Sequence, residues 1–175
     1  MPILQNKIDE ILNKKKLSRY KLNKIINYYE SDLNKMIKGQ KPFPDHIINK
    51  LLPILEISRE EFEGWIVADK YSKEVLELAI EAKKAHKAKK LILTTKIDKI
   101  LKIKGLSRTA LSKQIKHSQS GLNRVITGKE PLSKNLMNKI STAFEIPVEY
   151  LQAWVLADKY SVKVLDYALE SFLFG

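Results

Sequence analysis

The sequence predicts an all-α fold built from two similar domains, and three observations carry that prediction. Apolar residues recur at the three-to-four-residue spacing of amphipathic helices along nearly the whole chain, and no convincing two-residue alternation suggests a strand. The chain also matches itself: residues 3–82 laid on 92–171, a constant shift of 89 without a gap, agree at 35 of 80 positions. Finally, residues 72–104 contain no Gly or Pro, and Glu81-Ala-Lys-Lys-Ala-His-Lys-Ala-Lys-Lys90 is rich in helix formers. A period that long exceeds a solenoid unit, so each copy is expected to be a small domain. The predicted layout is 1–82, a basic helical linker at 83–91 with any break near Thr94-Thr95, and 92–175. Units of this size sit near the lower limit for an independent hydrophobic core, so the copies are expected to bury surface against each other.

The elements are clearest in the second copy. Ile97, Ile100, Leu101 and Ile103 mark a first helix, which Gly105 ends where a left-handed residue is wanted. Ser107 offers an N-cap to a short second helix with Leu111 and Ile115 on its apolar stripe. Ser118 caps a third whose inner face is Leu122, Val125 and Ile126, and Gly128 stops it. Pro131 and Ser133 precede a fourth, with Leu136, Met137, Ile140 and Phe144 facing inward. Pro147 suits the first turn of a fifth, Glu149 to Tyr160, carrying Leu151, Trp154 and Val155. Ser161 caps a sixth with Val164, Leu165, Ala168 and Leu169. The first copy reads the same way and adds a capping box, Ser58 with Glu61, at the start of its fifth helix.

Charge narrows the partner. The net charge is +12, and it is segregated. Residues 1–50 carry 11 Lys/Arg against 5 Asp/Glu, whereas 56–81 carry 3 against 8. The second copy repeats this: 92–144 is clearly basic, and 145–170 holds 2 basic against 5 acidic residues. Lysine richness alone does not explain a basic front and an acidic, apolar back, so a polyanion is the expected partner. The absence of cysteine excludes disulfides and thiolate metal sites and fits a reducing compartment. No apolar run approaches a membrane span and no signal-peptide core is evident, so a soluble, cytoplasmic protein without a membrane partner is expected.

Ser107 to Gly128 reads S-R-T-A-L-S-K-Q-I-K-H-S-Q-S-G-L-N-R-V-I-T-G, the spacing of two short helices crossing steeply with the second exposed. This stretch, with the preceding helix, the Gly-Lys-x-Pro link and the fourth helix containing Lys139-Ile140, resembles the helix-turn-helix of the phage-repressor/Cro (XRE-like) family. The likeness covers about 92–146 and, less cleanly, 3–57, so the fold expected is two tandem repressor-like helix-turn-helix domains. The fifth and sixth helices look like an addition to the minimal family core. The family usually has Gly in the turn, where this chain has Lys116 and Asn27.

The resemblance implies that the third helix enters the major groove of double-stranded DNA. On this chain the implied base-reading residues are Ser118, Gln119, Ser120, Asn123 and Arg124, and Gln and Arg have the bidentate chemistry for adenine and guanine. The amide-bearing start of the second helix places Ser107 and Arg108 at phosphate. Lys113, Lys129 and Lys134 are expected backbone contacts. The matching first-copy residues are Tyr29, Glu30, Ser31, Asn34 and Lys35 for bases, with Arg19, Lys24, Lys38 and Lys41 for phosphate. Glu30 and Asp32 bring carboxylates toward that face, so base reading there stays open; Tyr28 and Tyr29 either pack on sugar or thymine methyl or cover core.

The segment most alike in both copies is W-[IV]-[VL]-A-D-K-Y-S, at 65–72 and 154–161. It reads as core and a helix corner, because no nucleophile, metal ligand or phosphate loop accompanies Asp69-Lys70 or Asp158-Lys159. His46, His86 and His117 are scattered without metal or acid/base spacing, so no enzyme, cofactor or metal is expected. The reading is a sequence-specific transcriptional regulator, a repressor, whose fused domains act as an intrachain pseudo-dimer on an asymmetric operator. The acidic fifth and sixth helices would form the interface between copies, or with another chain or a protein partner. Two alternatives stand beside it: an adaptor or antitoxin-like module in which only one domain reads DNA, and a non-specific nucleic-acid binder.

Overall fold

The computed structural model describes residues 2–173. Among them the chain is all-helical, as expected, with twelve α-helices and no strand. Contacts divide it into two compact units: one runs from the N-terminus to Lys73 and resumes at Lys163, and the other is Glu74–Val162. These do not coincide with 1–82 and 92–175.

Unit one contains α1 (Ile3–Lys14), α2 (Arg19–Ile26), α3 (Glu30–Ile37), α4 (Asp45–Leu55), α5 (Arg59–Ala68) and nearly all of α12 (Val162–Leu173). Its core gathers Leu4, Ile8, Leu22, Leu33, Met36, Ile47, Leu51, Phe62 and Trp65. Each large apolar side chain buried there stabilises by about 2 kcal/mol before entropy is counted. Unit two contains nearly all of α6 (Lys73–Ala85), then α7 (Ile92–Lys104), α8 (Arg108–Gln114), α9 (Gln119–Ile126), α10 (Lys134–Phe144) and α11 (Val148–Lys159). Ile97, Leu111, Leu122, Ile126, Ile140, Leu151 and Trp154 are buried in it.

Chain reversals fall at equivalent places in both units. Left-handed residues are Lys16 and Gly105 (φ 54° and 63°), Asn27 and Lys116 (49° and 51°), Gly39 and Gly128 (71° and 74°), and Glu56 and Glu145 (57° and 59°). Ser18, Ser58, Ser107, Ser118 and Ser133 each accept a backbone N–H of the following helix through their hydroxyls. In the capping box, the Glu61 backbone N–H donates to the Ser58 hydroxyl (3.1 Å).

Three expectations need correction. Ile103 is 74% exposed, because it lies on the side of α7 away from buried Ile97 and Leu101. Pro147 stands just before α11, at its N-cap, rather than inside the first turn. The expected helical linker is helical only to Ala85, and the break falls at residues 86–91 rather than Thr94-Thr95. A continuous helix would stack Lys83 on Lys87 and Lys87 on Lys90 at repulsive spacings. His86 instead folds its ring toward the Lys90 carbonyl (Nε2···O 2.7 Å). Thr94 lies within α7, where its buried hydroxyl donates to the Ile126 carbonyl (2.6 Å).

Candidate nucleic-acid interface

In unit two the pair α8–α9 is set by its turn. His117 N–H returns to the Ser112 carbonyl (2.9 Å), and Lys116 adopts the left-handed conformation that suits the Gly usual at this turn. A side chain there costs about 1 kcal/mol. Leu111, Ile115, Leu122, Val125 and Ile126 are buried beneath the pair. On the outer side Ser118, Gln119, Ser120 and Arg124 are exposed, and Asn123 is half-buried. Four of the five nominated residues are therefore accessible to solvent. Gly121 keeps the start of α9 clear: a Cβ on it would come within 2.7 Å of the Ser118 hydroxyl that caps the helix. In unit one Asp32 occupies that position, and Tyr29 at the cap makes no side-chain cap hydrogen bond.

Two nominated phosphate ligands are otherwise engaged. Arg108 holds Asp98 with both Nε (3.0 Å) and Nη2 (2.7 Å), and its Nη1 donates to Asn123 Oδ1 (3.3 Å). Arg19 makes the same set with Asp9 (2.8 and 2.6 Å) and Asn34 (3.3 Å). Each guanidinium thus ties the first helix of the motif to its third, and each Asn amide oxygen faces inward. The signal was present in sequence, as an Asp ten residues before the Arg of each Leu-Ser-Arg, but distance along the chain gave it no meaning.

The remaining cations divide between units. Lys113, Lys129 and Lys134 are exposed, as is the capping Ser107. Arg124 reaches back to Glu130 in the loop after α9 (Nε–Oε1 2.8 Å) while staying 60% exposed. Unit one inverts that link: Lys41, at the equivalent loop position, bonds Asp32 on α3 (3.0 Å), which raises the lysine's pKa. Lys24 sits 4.6 Å over the Tyr20 ring. Glu30, Ser31, Lys35 and Lys38 are exposed, and Tyr29 is 79% exposed. Tyr28 is half-buried, with edge contacts to Tyr29 and His46. Beneath these rings Asn23 is buried with no partner for its amide, in a cleft of about 490 Å³. In unit two the same position is Ser112, whose hydroxyl donates to the Thr109 carbonyl (2.9 Å).

The shared Ala-Asp-Lys-Tyr-Ser corner is structural. Asp158 at the end of α11 receives the Ile92 and Leu93 N–H groups (2.7 and 3.0 Å), capping α7. Asp69 at the end of α5 does the same for Ile3 and Leu4 of α1 (2.5 and 3.3 Å). Burial pushes the Asp69 carboxyl pKa up, and those two N–H groups pull it back. Among the described residues no cluster of three His, Asp or Glu is placed to hold a metal, and no helix is long and apolar enough to cross a membrane.

Residues 97–151, from α7 into α11, match the family described as Helix-turn-helix (HTH_3). The match makes this segment similar to XRE-type, Cro/C1-like helix-turn-helix domains, a class associated with DNA binding and transcription regulation. No curated protein and no solved structure matches the chain.

Proposed function

We propose that the chain is a sequence-specific, double-stranded DNA-binding repressor made of two tandem helix-turn-helix repeats, acting as an intrachain pseudo-dimer. The observation that carries this reading is the accessible face of α9 inside the matched segment. Ser118, Gln119, Ser120 and Arg124 project from a capped helix start flanked by Lys113, Lys129 and Lys134. Gln119 and Arg124 supply bidentate base contacts, and the lysines supply the salt-dependent phosphate term. Arg108 and Asn123, with Arg19 and Asn34, are assigned as positioning residues that fix the reading helix to its domain. The gapless self-match and the paired left-handed positions support a duplication. Binding through the second repeat makes binding through the first intramolecular.

The first repeat reads differently if it reads at all. Its α3 offers Tyr29, Glu30, Ser31 and Lys35, so the operator is two dissimilar half-sites about one helical turn (~34 Å) apart. The exposure of Tyr20, Ile25 and Tyr29 on the first repeat favours one other reading, a protein-binding surface with a single DNA-reading domain. Selection of the intact chain on random duplexes separates these. Two unlike half-sites are expected; a single half-site supports the adaptor, and no enrichment despite binding leaves only a non-specific binder.

A further inference from the structure

The sixth helix of each repeat lies in the unit that holds the other repeat's helix-turn-helix: α12 with α1–α5, and α6 with α7–α11. Both seats are built for close contact. Around α12, Val164, Leu165 and Ala168 are buried, and Lys163 Nζ lies 3.8 Å from Glu60 on α5. Gly64, in the middle of α5, meets α12 so closely that a Cβ on it would stand 2.7 Å from Tyr167 Cβ and 3.0 Å from the Ala168 backbone nitrogen. Around α6, Val75, Leu76 and Ala79 are buried, and Lys83 Nζ donates to the Ala157 carbonyl at the end of α11 (2.6 Å).

We propose that the two repeats are held together by reciprocal exchange of their sixth helices. The α5 face around Gly64 is then a docking surface whose occupant is α12 of the same chain, and residues 86–91 are only a tether. This inference is independent of DNA binding. The apolar register of the two helices cannot choose between seats, because Val75-Leu76 and Ala79 repeat as Val164-Leu165 and Ala168. Backbone approach does choose. The position equivalent to Gly64 in the second repeat is Ala153, itself fully buried, and its methyl would occupy the space α12 needs. Thus α12 fits the first repeat's fifth helix at this distance and not its own.

Because the chain has no cysteine, paired cysteines report the arrangement directly. The full-length variant Glu60→Cys/Lys163→Cys is treated, when dilute, with a short bis-maleimide, then cut at a protease site placed within residues 86–91. Exchange predicts one chain's worth of cross-linked protein before cutting and two fragments still joined after it. Folded protein that gives no 60–163 bridge overturns the proposal. So does a 60–163 bridge formed only between separate chains, which would make the occupant a second copy. Lys163 is exposed and Glu60 half-buried, and thermal melts matched to wild type establish that the protein tested is folded.

Discussion

Arg108 grips Asp98 with two of its nitrogens, Nη2 at 2.7 Å from Oδ1 and Nε at 3.0 Å, and gives Nη1 to Asn123. The arginine thereby braces α7 against α9. Asp98→Asn should lower stability by about 1 kcal/mol, since the pair is bidentate but partly solvated. Arg108→Lys should not rescue binding to a selected duplex, because an ammonium cannot hold the carboxylate and the amide at once. Unchanged melting and unchanged binding in both variants would refute the bracing role.

Arg124 and Lys113 should fail differently. Arg124→Ala is expected to cost about 1–3 kcal/mol on the selected duplex and to relax preference at one base pair. Lys113→Ala should weaken all duplexes alike and reduce the salt slope by about 1. Competition binding across single-base variants at several salt concentrations measures both, and equal losses on every duplex for both mutants would exclude base reading by Arg124.

Glu130 restrains the same arginine. Glu130→Gln should strengthen binding and steepen its salt dependence, because it removes a carboxylate that competes with DNA for Arg124. Lys41→Gln in the first repeat should do the reverse or nothing, since it uncovers Asp32. An affinity titration that finds weaker binding after Glu130→Gln contradicts the competition.

Asp158→Ala should lower the stability of the unit containing α7 by about 1 kcal/mol, the usual cost of losing a cap. Two N–H groups, of Ile92 and Leu93, lose their acceptor. Hydrogen exchange should quicken first at those amides; protection there equal to wild type would show the cap to be dispensable.

The Glu61 carboxyl has a raised pKa, chiefly from burial, with the charge of Glu170 adding and the Ser58 N–H and Lys7 opposing. Raised in the folded state, it favours folding when protonated. That contribution is present below the ordinary value of 4.5 and is lost as pH rises through the raised one. Asp69 shifts in the same direction, so the difference between wild type and Glu61→Gln isolates the glutamate. Melting followed across mildly acidic pH should show a shallower decline for Glu61→Gln; identical slopes would remove Glu61 from the account.

Much of this was legible in sequence because it is local. Gly105, Ser107, Ser118 and Ser133 act through neighbours within a few residues, so residue type and spacing fixed their roles. The buried faces of α8 and α9 followed from helical periodicity. What escaped was set by long-range contact. Arg19 and Arg108 looked like surface cations because nothing in a linear pattern brings Asp9 or Asp98 to them. Asp69 and Asp158 looked like corner residues, with no hint of the helix starts they cap some 65 residues earlier. The helix exchange was hidden most deeply, since α6 and α12 carry the same apolar register and only the missing methyl at Gly64 distinguishes the seats.

The seating of α12 in unit one also governs how the molecule is made. Gly64 meets Tyr167, about a hundred residues further along the chain, so the first unit to leave the ribosome is the last to be completed. Until α12 has been made, the face around Gly64 stays uncovered and the N-terminal unit waits in an open form. A truncated product ending at Ser161 would keep every residue of α1–α5 and still lose the helix that closes them. Completion of the N-terminal unit is thus tied to synthesis of every residue of unit two before it.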